Sequence, residues 1–435
     1  MNIYIQVILY YTYYKIHMNM KPKNTIGPVK NCQACNSKNL EMILRYGNQP
    51  ITQAYLKQKE LYQPEITYPL NLVYCKKCGL LQLDYIVEPE IVFPLNYPYR
   101  TGLTNMLIRN FRELANLVIP KYRLRPGDLV IDIGSNDGTL LQGFKERDMR
   151  VLGIEPTDAA KVANKNGVAT LQEFFNKNTV KKIVKKYGRA KLITATNVFA
   201  HINNAPELAE NIFSLLDKNG VFISESQYFL DTFEKMELDC VYHEHIRFYT
   251  LKPLIKLLSG AGFTVVDAEK ISAAGGSIRV FTTKDNRPRN SRVKKLLAEE
   301  THAGLYNLKR LKTFFQKAIR VKRELVSLVL ECAKIGKVVG LGSPARANTL
   351  LNFTHLDKDI LEYLCEKSGS PKIGLLTPGT HIPVVDEKQI LKEQPEYLLI
   401  LSWHIGEELM KIMRKLGYKG KFIMPLPKPR IINNI

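Results

Sequence analysis

The chain has 435 residues, more than a single hydrophobic core usually supports, so its length predicts two or three domains. Hydrophobic residues make up 45% of the chain and charged residues 24%, which excludes long disorder and fibrous repeats. The 63 basic and 41 acidic residues give a formal charge of +22, which favours nucleic acid, an acidic membrane surface or a phosphorylated small molecule as partner. Charge alone does not choose among these classes.

Residues 1–28 are interpreted as an N-terminal extension. Their apolar run follows no basic residue and is too short to span a bilayer, so we expect neither a secretion signal nor a membrane anchor. The seven cysteines are too few for a disulfide scaffold in a chain of this length. We therefore expect a cytoplasmic protein without membrane association.

Four of the cysteines form two Cys-x-x-Cys pairs within a predicted first domain, residues 29–90. Cys32 and Cys35 make the first pair, and Cys75 and Cys78 make the second after 39 intervening residues. Two such knuckles complete a tetrahedral thiolate shell with no open position, which predicts a structural Zn²⁺. A redox dithiol and an iron–sulfur cluster are the alternatives, although redox motifs normally occur singly at the start of a helix.

The pattern of residues 91–284 alternates short apolar runs with helical segments, which is typical of a parallel α/β sheet. An amphipathic helix is predicted over residues 101–119. Strands are predicted at residues 129–133, 150–154, 192–196, 220–224, 264–268 and 277–282.

A charged segment with helical periodicity at residues 293–335 forms most of a predicted connector, residues 285–336. A second, smaller α/β domain is expected at residues 337–435. Its predicted strands are residues 337–341 and 397–401.

The sequence DLVIDIGSNDGTLLQGF, which begins at Asp128, reads as a buried strand, a glycine-containing turn and a helix. A nucleotide-binding GxGxxG fingerprint is absent, and an acidic residue follows the next strand, where a carboxylate can accept ribose hydroxyl groups. These features favour S-adenosylmethionine (SAM) over NAD, and a purely structural turn is the third option. The predicted cofactor-binding residues from this region are Asp132, Gly134, Asn136, Asp137, Gly138 and Glu155.

The sequence CVYHEHIRFYT places Tyr242, His243, Glu244 and His245 together in a chain that has only eight histidines. Imidazole titrates near neutral pH, so this pattern predicts a general base. In a strand or loop the two histidines would point the same way and Glu244 the opposite way, which argues against the helical H-E-x-x-H zinc motif. Metal-dependent hydrolysis and histidines packed for structural reasons remain open. His201, after the predicted strand at residues 192–196, could face the same pocket.

Taken together, these motifs resemble the SAM-dependent sugar C-methyltransferases, which act on nucleotide-linked keto-deoxysugars. The resemblance extends from Cys32 to near the C-terminus and is carried by the cysteine pairs, VIDIGSNDGTLL, YHEH, GGSIRV, GLGSPARANTLLNF and TPGTHIPV. It implies an α/β protein with a small zinc-binding N-terminal domain, a class I methyltransferase Rossmann-like domain and a second, smaller Rossmann-like domain.

The resemblance also implies roles for single residues. Glu173 or Phe174 would flank the adenine of SAM, and Asn197 would lie near its methionine end. His245 would be the base that forms an enolate, with Glu244 orienting or tuning it. His201 and Tyr242 would polarise the ketone or hold the sugar, and Tyr97, or Tyr99 in its place, would enter the pocket.

In the C-terminal domain the resemblance places Ser343, Arg346 and Asn348 where a diphosphate or base could be held, and packing alone is the alternative. Relatives commonly carry a histidine and a glycine where this chain has Ala274 and Ala347, which puts the sugar or its nucleotide in doubt.

The expected function is C-methylation of a nucleotide-linked sugar, with no nucleic-acid partner and with the oligomeric state open, a monomer included. A nucleic-acid methyltransferase or another small-molecule methyltransferase is the alternative. The Asn/Asp-Pro-Pro-Tyr tetrad typical of adenine methylation does not follow the fourth predicted strand. A pure binding scaffold would leave YHEH without a role.

Overall fold

A computed structural model of the chain describes residues 26–97, 100–103 and 105–433. Tyr99 and most of the predicted N-terminal extension lie outside these ranges. The described residues form a two-stranded pair and three larger sheets of four, seven and six strands.

The N-terminal region is a small antiparallel sheet with long loops. Its elements are β1 (Gly27–Pro28), β2 (Leu40–Gln49), β3 (Tyr68–Cys75), β4 (Leu81–Leu83), β5 (Tyr85–Ile86) and the single turn α1 (Pro89–Val92). In β3 the inward-facing Leu70 and Leu72 are fully buried. The fourth strand of this sheet comes from a segment more than 160 residues further along the chain.

The central region contains the strands and helices of the predicted parallel α/β sheet. Its elements are α2 (Asn105–Lys121), β6 (Leu129–Ile133), α3 (Thr139–Lys145), β7 (Arg150–Ile154), α4 (Ala159–Lys165), β8 (Thr170–Leu171), α5 (Lys177–Tyr187), β9 (Ala190–Thr196), α6 (Ala205–Leu215), β10 (Leu216–Gln227), α7 (Phe229–Glu234), β11 (Arg247–Phe248), α8 (Leu251–Gly260), β12 (Thr264–Ile271) and β13 (Ser277–Thr283). The predicted helix at residues 101–119 is a short 3₁₀ turn followed by α2.

Seven of these strands form one sheet in the order β12-β13-β10-β9-β6-β7-β8. The strands from β10 to β8 are parallel, and β13 runs antiparallel to both of its neighbours. Alternate residues of β6 enter different cores, with Ile131 and Ile133 on one face of the sheet and Val130 on the other. The carboxyl ends of the parallel strands therefore meet at one edge, where ligands bind in such sheets.

The remaining chain forms two long helices and a second parallel sheet. Its elements are α9 (Ser291–Ala303), α10 (Leu308–Ile335), β14 (Val338–Leu341), α11 (Ala345–Thr354), β15 (Leu364–Glu366), β16 (Val384–Asp386), α12 (Lys388–Glu393), β17 (Tyr397–Ile400), α13 (Gly406–Lys415), β18 (Lys421–Met424) and β19 (Arg430–Ile432). The strand order is β16-β15-β14-β17-β18-β19, and only β19 runs antiparallel. The described part of this region is a Rossmann-like sheet.

The predicted helical connector is two helices rather than one. Gly304 ends α9 in the left-handed conformation with a φ of 79°, and Asn307 caps α10 by accepting a hydrogen bond from the backbone of Arg310. Helix α10 then packs into two cores, with Phe314 in the core of the first two regions and Leu325 in that of the C-terminal sheet. The boundary at residue 336, between the connector and the C-terminal domain, stays a prediction because α10 contributes side chains to both cores.

The sequence pattern missed the shortest strands. It did not predict β8, β11, β15, β16, β18 or β19, which have two to four residues each. Such strands are too short to show an alternating pattern, and their pairing partners are distant in sequence. None of the described helices is both long and apolar enough to cross a bilayer.

Candidate active site and metal centre

Four thiols meet at one end of the N-terminal sheet. The sulfur atoms of Cys32, Cys35, Cys75 and Cys78 all lie within 4.8 Å of one another, with 3.5 Å between Cys32 and Cys78 and 3.6 Å between Cys35 and Cys75. A tetrahedral Zn²⁺ with Zn–S bonds of about 2.3 Å would place its sulfurs about 3.8 Å apart, so small shifts would admit the ion. The thiol cluster therefore fits the predicted zinc.

The electrostatics of the thiol cluster also call for a cation. A hydrogen bond from Cys78 lowers the pKa of Cys32 to about 5, whereas the same bond raises the pKa of Cys78 well above its usual range. Burial raises the pKa of Cys75 to about 11. Without a cation the first thiolate opposes ionisation of the others, and a bound Zn²⁺ removes that opposition.

The turn after β6 requires glycine at two positions. Gly134 has a φ of 69°, and a Cβ atom built on it would lie 2.4 Å from a methyl carbon of Val198. Gly138 also has a positive φ, 81°, and it begins α3. Asn136, between them, accepts a hydrogen bond at 3.0 Å from the backbone of Thr101. The predicted glycine turn is thus formed, and the segment before α2 covers it.

Acidic side chains surround this turn as predicted. The carboxylate of Asp137 accepts a hydrogen bond at 2.8 Å from the backbone of Gly102. Asp132 is buried at the end of β6 and accepts one at 2.6 Å from Thr194, and burial raises the pKa of Asp132 to about 7. Glu155, after β7, accepts one at 3.1 Å from the backbone of Asn136. The acidic residues and the turn therefore form one continuous site.

The two residues predicted to flank adenine lie after β8. The carboxylate of Glu173 forms an ion pair with Lys182 at 2.8 Å, and the Phe174 ring is 40% exposed. The assigned role remains a prediction for both residues. An exposed phenyl ring beside this edge of the sheet is available to pack on a flat base.

A cavity lies beside the YHEH segment, which we define as residues 242–245. Ten residues line it: Asn197, Ala200, His201, Ser226, Gln227, Phe229, Thr232, His245, Arg247 and Phe248. Asn197 has a φ of 55° at the end of β9 and directly precedes Val198, which contacts Gly134. The structure thus brings the imidazoles of His201 and His245 to the edge of the sheet that carries the predicted donor site.

His245 is held by two hydrogen bonds that define its tautomer. Its Nδ1 lies 3.0 Å from the carbonyl oxygen of Cys240, and its Nε2 lies 2.9 Å from the hydroxyl oxygen of Tyr242. A carbonyl only accepts, so Nδ1 carries the proton and Nε2 accepts from the Tyr242 hydroxyl. Burial lowers the pKa of His245 well below its ordinary value, and His201 and Arg346 lower it further. The imidazole is therefore neutral at physiological pH.

His201 links His245 to two further aromatic rings. The rings of His201 and His245 have centroids 4.9 Å apart, and Phe93 meets His201 edge-on at 5.8 Å. Burial lowers the pKa of His201 to about 4, and its Nδ1 contacts the carbonyl oxygen of Glu244. Tyr97 packs against Phe93 with centroids 5.3 Å apart, and it raises the pKa of Tyr242, although less than burial does. The predicted pocket residues His201, Tyr242, His245 and Tyr97 thus form one cluster.

The YHEH segment departs from the prediction in two side chains. His243 does not point the same way as His245, because the segment is a turn rather than a strand, and its Nε2 lies 3.3 Å from the carbonyl oxygen of Tyr68. The carboxylate of Glu244 contacts Thr52, which donates a hydrogen bond at 2.8 Å, and its other oxygen has no described partner. Direct orientation of His245 by that carboxylate is therefore wrong in this structure, where Cys240 and Tyr242 hold the ring.

The three polar residues predicted to hold a diphosphate or base contact protein groups instead. Asn348 donates to the carbonyl oxygen of Thr52 at 2.7 Å, and Ser343 lies 2.7 Å from the hydroxyl of Tyr55. Arg346 forms a bidentate pair with Asp239. These contacts fasten the C-terminal domain to the other two, as the packing alternative expects.

Sequence reasoning missed several residues at this site. Ser226 is 1% exposed, lines the cavity and has a hydroxyl with no described partner. Thr52 joins the N-terminal domain to both Glu244 and Asn348. For Ser226 the one signal in the sequence is its position at the carboxyl end of a parallel strand, where such sheets bind ligands.

Three family models match successive parts of the chain. They describe a zinc binding domain at residues 32–93, a methyltransferase domain at residues 105–268 and a C-methyltransferase C-terminal domain at residues 272–427. The C-methyltransferase NovU of Streptomyces niveus is 29% identical over 417 residues, which cover 94% of this chain and 99% of NovU. The chain is a SAM-dependent C-methyltransferase. SAM and zinc are its cofactors, and the predicted three-part α/β fold is confirmed.

Solved structures of methyltransferases resemble part of the C-methyltransferase. A SAM-dependent methyltransferase from Clostridium acetobutylicum covers 41% of this chain and 92% of its own, with 12% identity and a TM-score of 0.33. Magnesium protoporphyrin IX methyltransferase from Synechocystis with bound SAM covers 41% of this chain and 79% of its own, with 14% identity and a TM-score of 0.32.

Replacing one zinc ligand tests the structural role of the metal. We expect purified wild-type protein to contain one zinc per chain and Cys75→Ser to lose it, because a three-thiolate shell binds zinc far more weakly. The free energy of unfolding should fall by several kcal/mol, since metal binding stabilises the small N-terminal sheet. Elemental analysis and denaturant titration measure the two effects.

A buried cysteine outside the cluster provides the matched control. Cys332 is 2% exposed within α10 and lies far along the chain from all four thiols. Cys332→Ser should keep its zinc, whereas equal zinc in the wild type and in Cys75→Ser would contradict the assignment.

Proposed function

We propose that this C-methyltransferase methylates a carbon atom next to the ketone of a nucleotide-linked keto-deoxysugar, through an enolate. The observation that carries the proposal is a neutral imidazole, His245, in a cavity whose lining includes Asn197, next to the Val198 that contacts Gly134 of the predicted SAM-binding turn. A C–H bond next to a ketone is weakly acidic, and a desolvated neutral base at close range is the group that removes such a proton.

The tautomer of His245 suits the role of the base. Because Nδ1 donates to the carbonyl of Cys240, the lone pair of Nε2 is the one that accepts the proton from carbon. The hydroxyl of Tyr242 now bonds to that lone pair. On substrate binding we expect the hydroxyl to turn to the ketone oxygen, where it stabilises the developing enolate and frees Nε2.

The reaction then needs a methyl group in line with the carbanion. When bound, SAM would supply it from its sulfonium centre, and the electron pair of the broken S–CH₃ bond would stay on the departing thioether. The enolate carbon forms the new C–C bond, the ketone is restored, and the abstracted proton leaves from His245 to water. The His201 ring, beside His245, would polarise the ketone or hold the sugar.

The nucleotide part of the substrate has indirect support. The formal charge of +22 suits a diphosphate-linked sugar, and the motifs quoted above resemble enzymes that act on such substrates. None of the described cysteines forms a disulfide, and a shell of zinc-binding thiolates fits a reducing compartment. We therefore also propose that the enzyme works in the cytoplasm. Nucleic acid is not expected as its substrate.

Substrate class is tested by incubating the enzyme with methyl-labelled SAM and a panel of nucleotide-linked keto-deoxysugars. We expect mass spectrometry to show one methyl group added to carbon in at least one keto sugar. The matched sugars with the ketone reduced to a hydroxyl should stay unmethylated, because they form no enolate. Methylation of oxygen, or of the reduced sugars equally well, would overturn the proposal.

The base is tested by His245→Gln, which keeps a side chain of similar length without a titratable group. We expect the rate of methyl transfer to fall by about 10²–10⁴-fold, the usual contribution of a general base. SAM binding, measured by calorimetry, should be retained because His245 lies outside the glycine turn after β6. The control is His302→Gln, an exposed position on α9, where activity should not change.

The pH profile of kcat/KM gives an independent check. Burial lowers the pKa of His245 well below 6.5, so the ring stays unprotonated at pH values where an exposed histidine is charged. Activity should therefore persist below pH 6.5 and fall only at a more acidic pH. An acid limb at or above pH 6.5 that persists in His302→Gln would argue against a buried base.

A further inference from the structure

Arg346, at the start of the C-terminal α11, lies at the centre of a buried charge cluster. Its Nε and a terminal nitrogen donate to the two carboxylate oxygens of Asp239 at 3.0 and 2.8 Å. Trp403 donates to the same carboxylate at 2.8 Å, and Glu237 lies 3.4 Å from the guanidinium. Both carboxylates are at most 2% exposed. Such bidentate pairs fix geometry as well as charge.

The cluster is continuous with the residue that orients the base. Asp239 directly precedes Cys240, whose carbonyl oxygen accepts the hydrogen bond from Nδ1 of His245. Gln227, at the end of β10, donates to Glu237 at 3.2 Å and to the sulfur of Cys240 at 2.7 Å. The short 3₁₀ turn Leu238–Cys240 is thus fastened on one side by the methyltransferase sheet and on the other by the C-terminal domain.

We propose that Arg346 is a positioning residue for His245, so that the C-terminal domain supplies part of the acid–base machinery of the methyltransferase domain. The inference rests on the proposed role of His245 as the base. Arg346 would act on His245 in two ways. Its ion pair with Asp239 holds the Cys240 carbonyl in place, and its positive charge acts electrostatically on the imidazole. Arg346 itself need not touch either substrate.

The charge path has a definite sign. The positive guanidinium disfavours protonation of His245 and so lowers its pKa, after burial and His201. The other groups facing this ring are Tyr242, which donates to it, Cys240, which accepts from it, His201, which is itself neutral, and the guanidinium of Arg247, which lines the same cavity. Removal of the guanidinium should raise the pKa of His245, and more so because Asp239 and Glu237 keep their negative charges. Removal of the Asp239 charge should lower the pKa of His245, because the positive charge of Arg346 is then less fully neutralised.

The test compares Arg346→Met with Asp239→Asn. Proteins carrying ¹³C-labelled histidine are titrated by NMR, and His245→Gln identifies the resonance of His245. We expect the pKa of His245 to rise by about 0.5–1 unit in Arg346→Met and to fall by a similar amount in Asp239→Asn. Arg414→Met, which removes a guanidinium from α13 of the same domain, is the control and should leave this pKa unchanged.

A kinetic comparison completes the test. Both variants should lower kcat for methyl transfer by about tenfold or more while SAM still binds, because the Cys240 carbonyl is no longer fixed. Unchanged pKa values, or shifts of the same sign in the two variants, would overturn the inference even if kcat fell. The NMR experiment needs no substrate, so it separates failure of this inference from failure of the proposed reaction, which would show as an inactive wild type.

Discussion

The YHEH segment and the short 3₁₀ turn Leu238–Cys240 before it have very little regular structure, so neighbouring elements must hold them in place. Three contacts do this. Glu244 bonds to Thr52 of the N-terminal domain, Arg346 of the C-terminal domain pairs with Asp239, and β11 joins the N-terminal sheet immediately after His245. An imidazole that must be placed to within a fraction of an ångström gains its rigidity from these surroundings. All three domains therefore meet at one short segment.

Burial, rather than a paired carboxylate, sets the protonation state of the site. His201 and His245 lie side by side among apolar rings, and each pKa falls mainly because the charged form loses its hydration. The acidic residue that the sequence places next to His245 points away from it, and burial raises the pKa of Glu244 to about 7. The cavity thus favours uncharged forms of all three groups, which leaves the two imidazoles unprotonated at physiological pH.

The parts of the fold that were predictable from sequence are those encoded by local patterns. The cysteine spacing, the glycine turn after β6 and the long apolar strands each depend on neighbours within a few residues. The direction of Glu244 and the partner of Arg346 depend on contacts with Thr52 and Asp239, which lie 192 and 107 residues away. No local pattern specifies such pairings, and the two-residue β11 leaves no alternation to detect.

One structural feature blurs the division into modules. Strand β11 is encoded within the methyltransferase region, yet it forms the edge of the metal-stabilised sheet by pairing with β4. The zinc-binding part is therefore completed by a piece of its neighbour, and its four-stranded sheet is incomplete without that piece. An exchange of the zinc-binding domain for that of another enzyme would therefore have to include β11. A recombination that joined two genes between the zinc-binding and methyltransferase regions would separate β11 from its native partner β4, and β4 would become an unpaired edge.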